Sequence, residues 1–173
     1  MTEKPLPKAT QAIYQYLDTH QLEYDQYTHP AIHTVEEARA TISEVPGIEA
    51  KTLLVYTEKS KSFYLISLVG EKKISQSVIR SLIGERVRFA LAYDLARILH
   101  TTPGSVSPLG LLFDTLGEIK GYIIDEQIIN ASEVAWHPNI NTQTLVFSKN
   151  IFQMFLSLLP HSILIYPDIP TSH

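Results

Sequence analysis

The chain contains no cysteine. Disulfides, thiol nucleophiles and cysteine-ligated zinc are excluded together, and a reducing compartment is the simplest setting. No apolar run reaches the roughly 18 residues that a membrane-spanning helix needs. The opening MTEKPLPKAT has lysines but no apolar stretch behind them, so it is not read as a secretory signal. A cytoplasmic protein with no membrane partner is expected. Neither GxGxxG nor a Walker-type GxxxxGKS/T occurs, which removes the common glycine-rich phosphate cradles. There is no HExxH or comparable ligand spacing, so neither a metal nor a cofactor is expected. No serine sits in the GxSxG turn of a nucleophile elbow, which leaves a serine-hydrolase reading weak.

What is present fits one soluble domain covering residues 1–173, with 45% hydrophobic and 18% charged residues. The net charge of −4 hides an asymmetry. Residues 1–50 carry −5, residues 51–97 carry +5 and residues 98–173 carry −4. The basic block holds Lys51, Lys59, Lys61, Lys72, Lys73, Arg80, Arg86, Arg88 and Arg97. Cations gathered on an otherwise acidic protein can attract a polyanion locally. The same count also describes cations spread over a solvated surface.

Hydrophobic periodicity predicts a helix over 8–20, with Ala9, Ile13, Tyr16 and Leu17 on one face. Residues 24–28 read as extended. Thr34 with Glu37 forms a capping box that opens a helix through about Ser43. A turn at VPGIEA leads to two β-rich runs, 51–57 and 62–69, that predict a hairpin. Ser75 and Gly84 bracket a helix, 86–91 reads as a short strand and 92–99 as a short helix. TTPGSVSPLG is a loop by composition. Strands are expected at 119–124, 143–147 and 162–166, with a helix from Ser148 to Pro160. Intermixed strands and helices point to an α+β fold, a mixed sheet with flanking helices.

Three places carry groups suited to chemistry, and each also has a plain structural reading. Lys51 heads an apolar strand. It either snorkels to solvent or places its ammonium at a pocket mouth, to meet a phosphate or developing negative charge. The loop Gly104, Ser105, Val106, Ser107, Pro108 follows Pro103. Its glycine permits close backbone approach and its prolines stiffen the loop amides as donors, yet an ordinary turn would look the same. The segment from Trp136 through His137, Pro138 and Asn139 to Thr142 crowds hydrogen-bonding side chains before a strand. Its asparagines suit Asx turns, while His137 could orient a water or a ligand hydroxyl. A smaller cluster, His29-Pro30-Ala31-Ile32-His33-Thr34, has its proline where a helix would need to run.

The order of these segments adds what none supplies alone. HPAIHTVEEA, GIEAKTLLVY, TPGSVSPLGLLFD and HPNINTQTLVFS, in that sequence, resemble the YbaK/ProX family of tRNA-editing deacylases. The similarity is strongest to the free-standing prolyl-tRNA editing type and runs from about Tyr24 to Ser148. The resemblance implies a strongly curved mixed sheet with flanking helices. It implies hydrolysis of the ester that joins a wrong amino acid, alanine for this type, to tRNA for proline. Lys51 matches the family's invariant lysine, Gly104 to Pro108 its GxxxP loop, and His137 the histidine of its HPN motif. By that match Lys51, Gly104 and His137 are the expected catalytic residues. Thr52, Ser105, Val106, Ser107, Pro108, Asn139 and His29 are the expected substrate contacts. The family's lysine is commonly followed by asparagine, and here Thr52 stands in that place.

The implied partner is the acceptor end of mischarged tRNA(Pro), with docking on prolyl-tRNA synthetase left open. An aminoacyl ester is already activated, so holding the terminal adenosine, aiming a water and stabilising an oxyanion would suffice. The same reaction on Ser- or Cys-tRNA(Pro), a non-catalytic tRNA-binding module and a general small-ester hydrolase are the alternatives.

Overall fold

The computed structural model describes residues 6–31, 45–70, 72–167 and 169. The capping box at Thr34 and Glu37, and His33 with it, lie outside the described residues. Among these residues eight strands form one sheet. In chain order the elements begin with α1 (Lys8–Thr19), β1 (Asp25–Thr28), β2 (Ile48–Thr57) and β3 (Phe63–Val69). They continue with α2 (Gln76–Ile83), β4 (Val87–Phe89), α3 (Ala92–Ile98), a 3-10 helix (Pro108–Phe113) and β5 (Ile119–Asp125). The last are α4 (Glu126–Asn130), β6 (Glu133–Trp136), β7 (Gln143–Ser148), α5 (Lys149–Leu158) and β8 (Ser162–Tyr166).

The spatial order is β1-β7-β6-β2-β3-β5-β8, with β4 added beside β2. Pairings are antiparallel for β1–β7, β7–β6, β2–β3 and β2–β4, and parallel for β6–β2, β3–β5 and β5–β8. The expected hairpin is β2–β3, closed by the polar turn after Thr57. Strand β5 lies between two parallel neighbours and is buried along nearly its whole length, as its apolar residues Ile119, Tyr122, Ile123 and Ile124 require of a strand covered on both faces.

Alternation along the central strands divides the apolar residues between two cores. Leu54, Leu65, Tyr122, Ile124 and Phe147 join Ile13 and Leu17 of α1 and Phe152 and Phe155 of α5 in the larger one. Val55, Ile66, Leu68 and Ile123 turn the other way, against Ile79 of α2 and Val87 of β4. Helix α1 needs no more than its Ile13–Leu17 spacing to dock, since residues four apart share a face.

Strand β2 begins three residues earlier than its β-rich run suggests. Gly47, at φ +94°, ends the turn, and a Cβ there would stand 3.2 Å from the backbone of Glu133. This close approach brings β2 alongside β6. Three short elements were not legible in the sequence: β6, α4, and the 3-10 turn that takes up the end of the predicted loop from Pro108. Four to six residues are too few to display a helical or strand period.

Candidate functional site

The parallel register of β2 and β6 sets the site. Ile48 lies beside Val134, and Glu49 beside Ala135. Ile48 and Val134 face the larger core, so Glu49 and Ala135 face the other side, and so do Lys51 and His137 two residues further along each chain. On β7 the same face carries Thr144, whose neighbour Leu145 is in the core. On β1 it carries Tyr27, opposite Thr144, and then His29. One sheet face thus gathers Lys51, His137, Thr144 and His29.

The edge of β2 at this point is split. β6 pairs with it at residues 48–49 and β4 at residues 55–57, while β3 occupies the opposite edge. Lys51 sits between the two partners, half-buried. Desolvation holds its ammonium below the usual lysine value; Glu49 opposes that shift and Lys73 adds to it. A cation held in reduced dielectric acts more strongly on a nearby anion than one in bulk water.

The imidazoles form a chain whose tautomers follow from their partners. His29 Nδ1 lies 2.9 Å from its neighbour's carbonyl, Pro30 O, and must donate to it. Its Nε2 then accepts from the Thr144 hydroxyl at 2.9 Å. His137 Nδ1 donates to Gln143 O at 2.8 Å, with Thr144 Oγ1 at 3.4 Å as a second, weaker acceptor. Burial keeps the His137 ring below its ordinary value despite the Gln143 carbonyl, and His29, its ring centroid 5.8 Å away, pushes the same way. His137 is therefore neutral at pH 7. With Nδ1 as the donor, Nε2 has no hydrogen-bond partner among the described residues and its lone pair can accept from water or a sugar hydroxyl.

The two predicted loops meet in a second place. Asn139 takes a left-handed φ of +61°, which asparagine tolerates better than most residues. Its Nδ2 donates to Leu99 O at 2.8 Å and reaches His100 O at 3.4 Å, tying the HPN turn to the end of α3. Since Nδ2 faces carbonyls, Oδ1 must point away; it is buried and has no partner among the described residues. Thr10 Oγ1 of α1 donates to Pro138 O at 2.8 Å and pins the same turn. Asn139, Ile140 and Asn141 line a cavity of about 500 Å³ with His100, Thr101, Thr102 and Ser105.

Gly104 forms the exposed apex of the loop at φ +89°, with open space where a Cβ would stand, so backbone conformation and not packing selects glycine there. Ser105 N donates to Thr102 O and Thr101 Oγ1 to Ser105 O, both at 3.1 Å, which stiffens the apex. Val106 packs partly against the larger core. Ser107 and Pro108 are buried; Ser107 Oγ caps the 3-10 helix by accepting from Leu109 N.

The structure thus brings Lys51, His137 and His29 onto one face, and Asn139, Ser105 and the Gly104 loop around one cavity. Pro138 alone separates His137 from Asn139. Three expected ligand contacts lie elsewhere. Thr52 faces away from Lys51 because neighbours on a strand alternate; its hydroxyl lies 2.7 Å from Ser67 Oγ, which also accepts from Tyr122 OH. Ser107 and Pro108 are likewise spent on the interior and on the helix start. Sequence reasoning missed Thr144, the link between the two histidines. Its signal was a position seven residues after His137, legible only once the β6–β7 register is known.

Known proteins resemble this chain in sequence and in fold. The aminoacyl-tRNA editing domain family matches residues 29–154. A relative from Acetoanaerobium sticklandii, prolyl-tRNA editing protein ProX, is 31% identical over 141 residues, covering 81% of this chain and 85% of the relative. The mouse prolyl-tRNA synthetase associated domain-containing protein 1 is 25% identical over 138 residues, covering 77% of this chain and 80% of that protein. A solved structure described as a candidate trans-editing enzyme for prolyl tRNA synthetase shares the fold at a TM-score of 0.69, with 19% identity, over 93% of this chain and 98% of that one. On the family match and the 31% identity, the chain belongs to the aminoacyl-tRNA editing domain family, deacylases that strip wrongly attached amino acids from tRNA.

Proposed function

We propose that this deacylase edits tRNA for proline in trans, as one domain, and that alanine mischarged on that tRNA is its preferred substrate. The carrying observation is the shared sheet face of Lys51 and His137, at an opening in the sheet and one residue from the Asn139 turn. The relative named as a prolyl-tRNA editing protein supports the choice of tRNA. The ProX-type motifs support the choice of alanine.

Lys51 holds the phosphate of the terminal nucleotide and so fixes where the ester lies. Loop amides near Gly104 turn toward the aminoacyl carbonyl and stabilise negative charge on its oxygen. A water, aided by the neighbouring ribose hydroxyl, attacks the carbonyl carbon. The tetrahedral intermediate collapses, the carbon–oxygen bond to the ribose breaks, and the departing oxygen takes a proton to leave a free hydroxyl on the tRNA and a free amino acid. His137 Nε2 accepts from the water or the ribose hydroxyl and orients it. Selection against the cognate amino acid rests on the bulk of its ring, since a tight pocket excludes larger groups more strongly than smaller ones. The setting is the cytoplasm, with prolyl-tRNA synthetase as a docking partner. Among the described residues no helix is long and apolar enough to cross a membrane.

The test is single-turnover deacylation of a panel of tRNA(Pro) charged with alanine, glycine, serine, cysteine or proline. Alanine should be released fastest and proline spared. Faster release of serine or cysteine would overturn the alanine assignment, and binding without turnover on every member would overturn catalysis.

A further inference from the structure

We infer that Lys73 is a second phosphate contact, which holds the phosphate of the penultimate nucleotide of the tRNA while Lys51 holds that of the terminal one; this rests on the function proposed above. The placement follows from the turn after β3. Leu68 pairs with Lys51 and Val69 with Ala50, so the chain leaves β3 beside the start of β2. Gly70 N donates to Glu49 O and Lys72 N to Val69 O, both at 2.9 Å, which folds the chain back. A Cβ on Gly70 would stand 3.1 Å from the Glu49 side chain, so the turn closes around a glycine.

The residues on either side of Lys73 are tied down. Lys72 Nζ donates to Oδ2 of the buried Asp125 at 2.7 Å. Ile74 packs against the smaller core, on the side of the sheet that Lys51 faces. Lys73 between them is exposed and makes no hydrogen bond or ion pair among the described residues. Its charge is felt at Lys51. Desolvation lowers the Lys51 ammonium most, Glu49 opposes that shift, and Lys73 lowers it further. Two ammoniums that repel one another in the free protein are both relieved when an anion arrives. Glu49 offsets one of them and leaves the group a net single positive charge.

Strand order gives the direction. β6, which leads to His137, lies on one edge of β2, and β3, which leads to Lys73, lies on the other. The three groups therefore follow one another across the strands as His137, Lys51, Lys73. Neighbouring strands lie about 4.8 Å apart, so the whole step is about 10 Å. With the ester at His137 and the terminal phosphate at Lys51, the same direction carries the preceding phosphate to Lys73. A lysine ammonium suits that role, being a point charge with three donors on a flexible stem.

The experiment uses two minimal substrates, 3′-alanyl CpA and 3′-alanyl pCpA, which differ only in the 5′ phosphate of the penultimate nucleotide. In the wild type that phosphate should lower KM about fivefold, the size of one exposed ion pair, with kcat within twofold. Lys73→Ala should erase the gain on pCpA and leave CpA unchanged, and Lys73→Arg should restore most of it. With Ala-tRNA(Pro), the slope of log KM against log salt should fall by about 0.7 in Lys73→Ala, one single-strand phosphate contact. An NMR titration of the Lys51 ammonium should show its midpoint rising in Lys73→Ala, because one repelling cation is gone. Equal KM for CpA and pCpA in the wild type, a gain kept by Lys73→Ala, or an unmoved Lys51 midpoint would overturn the contact. So would a raised midpoint with no phosphate effect, which would leave the lysines neighbours and nothing more. Failure of the wild type on every mischarged tRNA would refute the proposed function instead. Binding of uncharged pCpA against CpA, tighter in wild type and equal in Lys73→Ala, still decides the contact in that case.

Discussion

On the sheet face, Lys51, His137, Thr144 and His29 are placed by strand register; around the loop cavity, Asn139 and His100 are placed by left-handed backbone. A ladder fixes the direction of each side chain through many backbone bonds, none of which belongs to the side chain itself. The loops have no ladder. One amide, Asn139 Nδ2, carries the connection between turn and helix, at a φ that most residues resist. A side chain on the sheet face can therefore be replaced with loss of its chemistry and little loss of fold. A replacement in the loop region should cost fold and chemistry together.

Substituting Lys51 tests the first half of that contrast most sharply. Lys51→Ala should slow single-turnover deacylation by about 100-fold or more, with the melting temperature nearly unchanged. Unchanged rates would remove Lys51 from the mechanism. Asn139→Ala tests the second half. It deletes bonds to Leu99 and His100 and leaves the buried Leu99 carbonyl unpaired, so unfolding in urea should show a loss of about 1–3 kcal/mol, with activity falling alongside. Asn139→Gly relieves the left-handed strain but not the lost bonds, and should recover only part.

A subtler comparison uses pH. The His137 value is lowered from 6.5 by burial, so between its folded value and 6.5 the unfolded chain binds the extra proton. Stability contributed by the neutral ring is present in full above 6.5 and declines as pH falls toward the folded value. Deacylation should be flat through neutrality and drop below the folded value, as Nε2 becomes a donor. His137→Gln should abolish the His137 share of both dependences, and an unaltered profile would exclude the ring as the titrating group. The smallest effect is expected at Thr52. Thr52→Val removes the bond to Ser67 for about 1 kcal/mol and should leave deacylation within twofold, because this side chain faces the core. A large drop in rate would place Thr52 at the ligand after all.

Much of the frame was legible in advance. The Ile13–Leu17 spacing, the Ser75 and Gly84 boundaries, the 51–69 hairpin and the Ser148 cap all appear where local pattern puts them. These are signals a few residues long, set by propensity and periodicity. Strand β6 escaped because EVAW is too short to alternate visibly, and because its place depends on β2, a parallel partner far away in the chain. The site was legible as motifs but not as an arrangement. Thr52 adjoins Lys51 in sequence and is its opposite in space, while His29 and Thr144, 115 positions apart, share a hydrogen bond.

The amino-acid sequence by itself determined which groups this protein has to work with: a lysine beside an apolar run, a glycine and prolines in a stiff loop, and histidines and asparagine in short polar turns. It also determined the order that marks the family. Tertiary structure alone decided that Lys51 and His137 share a face, that Thr52 turns inward, and that Asn139 reaches Leu99. The physical reason is that alternation states only that neighbours differ. Which of the two faces the core depends on the apolar residues brought by partner strands, and those pairings are made across the fold.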